Sequence, residues 1–365
     1  MAEENQKNIR GKKSKSTLDK TFLVLLCFVP ITLIVNYFYE YPLVVFFLSA
    51  LAIIPLAKYI GEATEELAVY AGPALGGFLN ATFGNATELL IGIFAIRAGL
   101  VEVVKASITG SIIGNLLLVA GMAMLFGGWR HKKQTFNKTG ALATSSTLLL
   151  AAIALIMPAI FLQTAPASAG KIIEELSIFV SVFMLIVYVA SLFFIFYTHR
   201  HLYTEEVGKL EAKWSKKKGI IILLLATIAV AWMSEVLVGS IEPVINSFGW
   251  TELFIGVIFV AIIGNAAEHT SAIVTALKNR MDLSLQISIG SATQIAMFVA
   301  PVLVLASLFF KTQMSLVFNT FELIAIVLSI LIANLVVEDG ESNWLEGLQL
   351  LMAYAIMAVA FFFHP

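Results

Sequence analysis

Residues 140–162, 176–198 and 219–239 each carry a nearly unbroken run of apolar side chains, about as long as a helix needs to cross a bilayer, and similar runs fill most of the chain. A backbone in lipid must satisfy its own hydrogen bonds, so a spanning segment is a helix or a strand of a closed barrel. Barrel strands alternate apolar and polar residues, and these runs do not. The chain is therefore an all-α integral membrane protein. Composition agrees: 59% of the 365 residues are hydrophobic and 13% charged. That leaves no polar surface for a soluble domain.

Eleven spans are expected, at about 21–38, 42–60, 74–96, 102–126, 140–162, 176–198, 219–239, 251–277, 284–309, 317–337 and 345–363. Residues 1–20 form a polar, Lys-rich tail, residues 61–73 a polar extension of the second helix, and residues 338–344 a short acidic turn. With the N-terminus inside, 19 of the 23 Lys and Arg residues fall on inside segments, which supports both the count and the orientation. The expected product is a multi-pass protein of the cell membrane, with its N-terminus cytoplasmic and its C-terminus on the opposite side. The single cysteine, Cys27, excludes an intrachain disulfide.

Two phrases inside apolar stretches stand out: Gly84-Asn85-Ala86-Thr87-Glu88 and Gly264-Asn265-Ala266-Ala267-Glu268. Each puts a carboxylate and a carboxamide three residues apart, on one helix face, at a depth where hydrocarbon solvates neither. Gly84 and Gly264 are expected to loosen the helices there. The offset of 180 residues between the phrases also pairs Gly76 with Gly256, Gly110 with Gly290 and Ser111 with Ser291, which marks an internal repeat. The expected organisation is the tail 1–20, a first helix 21–38, repeat one at 42–198 (helices two to six), a cytoplasmic linker 199–218, and repeat two at 219–365 (helices seven to eleven). Five helices per repeat is an odd number, so the second copy enters the membrane inverted. Inverted repeats are an architecture of secondary transporters, with the substrate site near the midplane.

In that arrangement Glu88 faces Glu268. Two carboxylates in low dielectric cannot both stay charged without a counter-charge, so one is protonated or a cation lies between them. Asn and Glu could instead serve only as hydrogen-bonding glue between helices, but glue does not require two ionisable groups at symmetric depth. A hard divalent ion would find the two carboxylates, the carboxamide oxygens of Asn85 and Asn265, and backbone carbonyls, approaching the six to eight oxygens that Ca²⁺ favours.

The stretches "LNATFGNATELLIG" and "IIGNAAEHTSAI" resemble the paired signature repeats of the cation/proton exchanger family, the Ca²⁺/H⁺ antiporters of the calcium/cation antiporter superfamily, in its bacterial form. "ATEELA", "GSIIGNLLLVAGMAML", "GSATQIAMFVAP" and "EDGESNWLEG" extend the likeness in order over residues 21–365. The resemblance implies a secondary transporter exchanging Ca²⁺ for H⁺ by alternating access. In it Glu88 and Glu268 are the shared carboxylates, Asn85 and Asn265 assist, and Gln294, Ser111 and Ser291 line the path. It also matches Glu65 and Glu235 to entrance or gating acids. His269 either tunes Glu268 or packs against a neighbouring helix. The linker departs from the family's acidic pattern: Glu205, Glu206 and Glu211 are outnumbered by six basic residues, so an ion-sensing role is not expected.

Two other functions fit less well. A Na⁺- or K⁺-coupled Ca²⁺ exchanger differs only in the driving ion, and a passive cation channel does not explain inverted repeats. No enzyme is expected, because HExxH, G-x-S-x-G and P-loop motifs are missing. The partners are Ca²⁺, protons and the lipid bilayer, with no nucleic acid and no cofactor; a homo-oligomer is left open. If the charge bias sets the topology, a cysteine introduced at residue 210 will react with impermeant reagents only from the cytoplasmic side. Labelling from outside would overturn both the orientation and the inversion of the second repeat.

Overall fold

The computed structural model describes residues 17–39, 41–164, 170–199 and 212–364. Most of the N-terminal tail and of the 199–218 linker, with Glu205, Glu206, Glu211 and Pro365, lie outside the described residues. The chain is nearly all helical. Its helices are α1 (Lys20–Phe38), α2 (Pro42–Ala71), α3 (Pro73–Phe83), α4 (Ala86–Arg97), α5 (Val101–His131), α6 (Lys138–Thr164), α7 (Lys171–Thr198), α8 (Lys216–Phe248), α9 (Glu252–Gly264), α10 (Ala266–Leu277), α11 (Met281–Ser307), α12 (Thr320–Val336) and α13 (Trp344–Phe363). By length and composition eight of these can cross a membrane, and α9 with α10 makes a ninth span bent by 60°. The other two expected spans correspond to α12, a shorter apolar helix, and to the pair α3 and α4.

Local chemistry sets many of the boundaries. Pro73 opens α3 after Gly72, whose φ of 80° suits a residue without Cβ. Ser215 and Thr251 cap α8 and α9 through their hydroxyls, and Asn319/Glu322 and Asn343/Glu346 form capping boxes on α12 and α13. The polar stretch 61–71 is helical, continuing α2 without interruption.

Burial divides the helices into a centre and a rim. The most apolar window of α5 is 83% buried and that of α11 67%, against 17% for both α7 and α13. α7 presents Phe179, Phe183, Ile186 and Phe193 outward, as a lipid-facing helix does. α2 and α8 pack along each other, α4 contacts both of them, and α10 contacts α2.

One element was not expected. Lys133–Thr135 and Glu341–Asn343 form a two-stranded antiparallel ribbon, with Gln134 opposite Ser342 and Lys133 ion-paired to Glu341. Three-residue strands in short polar loops carry no periodicity, so nothing in the sequence announced them. The ribbon brings the loops at 128–139 and 338–344 to the same side of the bundle. Glu66 accepts hydrogen bonds from the backbone N–H groups of Lys213 and Trp214, which ties the end of α2 to the end of the linker on that side.

The two halves pack unequally. α9 lies against α5 so closely that a Cβ at Gly110 would strike the backbone of Val257, and one at Gly256 would come within 2.6 Å of the Val103 carbonyl oxygen. Its counterpart α3 packs along α2 instead, where a Cβ at Gly76 would fall 2.6 Å from the Ala68 carbonyl oxygen. Helices in lipid associate through close van der Waals contact, which small residues permit. Gly110→Val should therefore cost about 1–3 kcal/mol or more of stability, the scale of overpacking in a tight contact. A thermal melt in detergent checks it, and an unchanged melting temperature would refute the contact.

Candidate cation site

Both helix breaks fall on asparagine. Asn85 has φ −97° and ψ 17°, and Asn265 φ −95° and ψ 13°, so each turns through the sparsely populated bridge region between two helical segments. The glycines before them do not loosen the backbone as expected: Gly84 is helical at φ −55° and ψ −40°, and Gly264 ends α9 in helical form. Gly264 instead supplies room. A Cβ there would lie 3.1 Å from Cγ of Glu88, so the carboxylate arm of one motif packs on the glycine of the other.

Each break starts a new helix, with Glu88 and Glu268 in the first turns of α4 and α10, where the free N–H groups favour negative charge. Glu268 stands one turn beyond Gly264, the glycine on which the Glu88 side chain packs. Both Glu88 carboxylate oxygens are shut off from solvent and have no hydrogen-bond partner among the described residues. The cavity beside them is narrow and is lined by Glu88, Ser107, Ser111 and Gly264 among apolar neighbours.

Carboxamides and hydroxyls surround the pair. Asn85 donates through Nδ2 to Gln294 Oε1 at 2.6 Å. Asn265 donates through Nδ2 to Ser111 Oγ at 2.8 Å and to the Ala261 carbonyl at 2.9 Å. Asn265 Oδ1 accepts from Asn115 Nδ2 at 2.8 Å, and the same nitrogen reaches Ser291 Oγ at 3.1 Å. Asn85, Asn115, Asn265, Ser111 and Ser291 are all buried. Five of the sequence-predicted residues beyond the two glutamates thus fall into two hydrogen-bonded groups, Asn85 with Gln294, and Asn265 with Ser111 and Ser291 around Asn115.

The remaining candidates stand apart. Glu65 is exposed on α2, and no hydrogen bond among the described residues joins it to the groups around the pair. Glu235 is exposed and ion-paired at 3.6 Å to Arg97, which leaves it outside both groups. His269 follows Glu268 on α10, half-buried, and no hydrogen bond among the described residues reaches its ring. Lys105, a buried cation in the first turns of α5, is bonded to Glu102 at 2.9 Å and does not neutralise the pair. Glu322 is buried but engaged, capping α12 and accepting from Thr109 at 3.0 Å.

Asn115 is the residue that sequence reasoning missed. The offset of 180 pairs it with apolar Ile295, whereas the structure makes it the counterpart of Gln294. Wide π-helical turns explain the slip: one spans Gly114–Val119 in α5 and one Ile295–Val299 in α11, and such a turn shifts the register by a residue. A carboxamide in the middle of an apolar span was the available signal. Asn115→Ala removes the shorter of the two hydrogen bonds to the Asn265 carboxamide oxygen, leaving it only Ser291 Oγ at 3.4 Å, so it should destabilise the protein by about 1–3 kcal/mol. Ser291→Ala, which removes a partner at 3.1–3.4 Å, should cost less. Denaturation in detergent gives the order, and equal costs would refute Asn115 as the organiser.

A family model described as sodium/calcium exchanger protein matches residues 41–197 and 218–363. The chain is 48% identical over 349 residues to the Ca(2+)/H(+) antiporter ChaA of Bacillus subtilis, covering 93% of this chain and 98% of that protein. It is 47% identical over 362 residues to a Ca(2+)/H(+) antiporter of Aphanothece halophytica, covering 94% and 96%. The solved structure of native YfkE superposes with a TM-score of 0.83 at 45% identity, over 94% of this chain and all of that one.

Proposed function

The chain belongs to the sodium/calcium exchanger protein family, and on that premise we propose that it is a secondary antiporter exchanging Ca²⁺ for H⁺ across the membrane, with Glu88 and Glu268 as the carboxylates both ions share. The observation that carries this is the buried, unpartnered carboxylate of Glu88 beside Glu268, with no basic side chain bound to it among the described residues. Such a pair needs protons or a cation to be stable in low dielectric. The names of the relatives at 47–48% identity, both Ca²⁺/H⁺ antiporters, support the identity of the two ions.

The neighbouring oxygens suit a hard divalent ion that must also leave. Asn85, Asn265 and the serine hydroxyls supply neutral donors, and among the described residues no three His, Cys, Asp or Glu side chains converge to hold a metal permanently. Two protons leaving as one Ca²⁺ enters keep the charge of the site constant between its loaded forms. Both can then move between inward- and outward-facing states without taking unpaired charge through the low-dielectric centre. The empty, doubly deprotonated site is held back for the same reason, and this couples the two fluxes. The one-sided packing of α3 and α9 supports a site open to one side at a time.

Protons and Ca²⁺ compete for the same oxygens, so Ca²⁺ affinity should climb as pH rises across about pH 5 to 9, a range wide enough for a carboxylate pair in a buried site. Calorimetry in buffers of different ionisation enthalpy should count about two protons released per Ca²⁺. Glu88→Gln and Glu268→Gln keep the shape but remove one proton site and one anionic ligand. Each should stop exchange driven by a pH gradient in proteoliposomes and reduce proton release. Asn85→Ala and Asn265→Ala should weaken binding more mildly. Affinity independent of pH, or normal exchange in either Gln variant, would remove the two glutamates from the site; flux driven by Na⁺ or K⁺ alone would change the coupling ion.

A further inference from the structure

The offset of 180 residues maps the close contact between α9 and α5 onto a pair of surfaces that are apart. In the docked half, Gly110 takes the backbone of Val257 against it, and Gly256 lies on Val103 and Ala106. The corresponding residues are Gly290 for Gly110, Gly77 for Val257, Gly76 for Gly256, and Leu283 and Gln286 for Val103 and Ala106. Val103, Ala106 and Gly110 are buried under α9. Their counterparts are uncovered: Gln286 is exposed, Leu283 and Gly290 are half-buried, and beyond the adjoining backbone of α11 and the residues next to Gly290 in the chain no atom of the described residues lies within 4 Å of a Cβ built at Gly290. The helix that would cover them, α3, has Gly76 against Ala68 of α2 and Gly77 against Phe196 of α7.

Taking exchange at Glu88 and Glu268 as given, we propose that Gly290 and Gln286 form the seat on α11 into which α3 docks, through Gly76 and Gly77, when the site opens to the opposite side. The occupant follows from the molecule itself. The other half already makes this contact, and small residues stand at both of the positions where backbones would meet. When α3 docks, α9 leaves Gly110, so each state buries one such contact and exposes the other. The two states then have comparable packing, which a transporter needs if neither is to trap the cycle.

The seat is empty in this state and filled in the other, and this makes the proposal testable by filling it. Gly290→Leu should leave the melting temperature and Ca²⁺ binding unchanged. It should lower exchange in proteoliposomes by about tenfold or more, the scale on which an overfilled contact disfavours one of two states. In a Cys27→Ser background, Gln286→Cys should exchange until a bulky maleimide is attached, and then stop. The maleimide arm decides the matter if Gly290→Leu fails to fold. Exchange at the parental rate in Gly290→Leu, or in the fully labelled Gln286→Cys protein, overturns the seat while leaving the shared glutamates standing. A parent protein that moves no Ca²⁺ against a pH gradient refutes exchange, and the seat with it.

Discussion

Two negative charges held together in a medium that solvates neither are the constraint around which this molecule is built. At an effective dielectric of about 20, like charges about 4 Å apart repel by about 4 kcal/mol, before the cost of burying each one is counted. An exposed ion pair such as Arg97–Glu235 contributes about 0–1 kcal/mol and cannot offset that. The repulsion is relieved at the site itself, by protons or by a cation. A fixed lysine or arginine beside Glu88 and Glu268 would have relieved it permanently, and the pair would then have no need of either ion.

The neutral side chains around the pair keep this charge in place without cancelling it. Asn85 is held by Gln294, and Asn265 by Ser111 and Asn115, so side chains pin the helix breaks in addition to the backbone bonds on either side of them. A carboxamide whose hydrogen bonds are made internally does not compete with the carboxylates for a proton. It can still turn an oxygen toward a hard cation. Rigid amides beside titratable acids thus separate two tasks, holding the geometry and carrying the charge.

Movement is left to packing. α9 rests on α5 with glycines at the contact, while α3 lies along α2 and leaves the corresponding face of α11 uncovered. In lipid, apolar side chains gain little by burial against one another, so the preference between two arrangements depends on how closely backbones approach. A single added side chain can tilt such a balance, and glycines at these positions are correspondingly hard to replace.

Much of this was legible in the chain. The apolar runs dictated helices because lipid offers the backbone no other partner. The 180-residue offset paired Glu88 with Glu268, and the rarity of carboxylates at such depth marked them as the site. The rest depended on three-dimensional placement. Glycine before each asparagine suggested a loosened backbone, yet the turn falls on the asparagines, and Gly264 is there because Glu88 of the other motif needs its space. Asn115 escaped notice because π-helical turns shift the register by one residue, which a fixed offset cannot register. The 133–135/341–343 ribbon is too short to have a period. The inequality of α3 and α9 is invisible to a repeat that reads nearly the same twice. Sequence by itself determined which residues must avoid water and which must not be left bare in lipid, since both follow from each side chain's own solvation. Only the tertiary structure decided which of those residues touch and which of two equivalent contacts is made, because contact depends on the positions of groups that lie far apart in the chain.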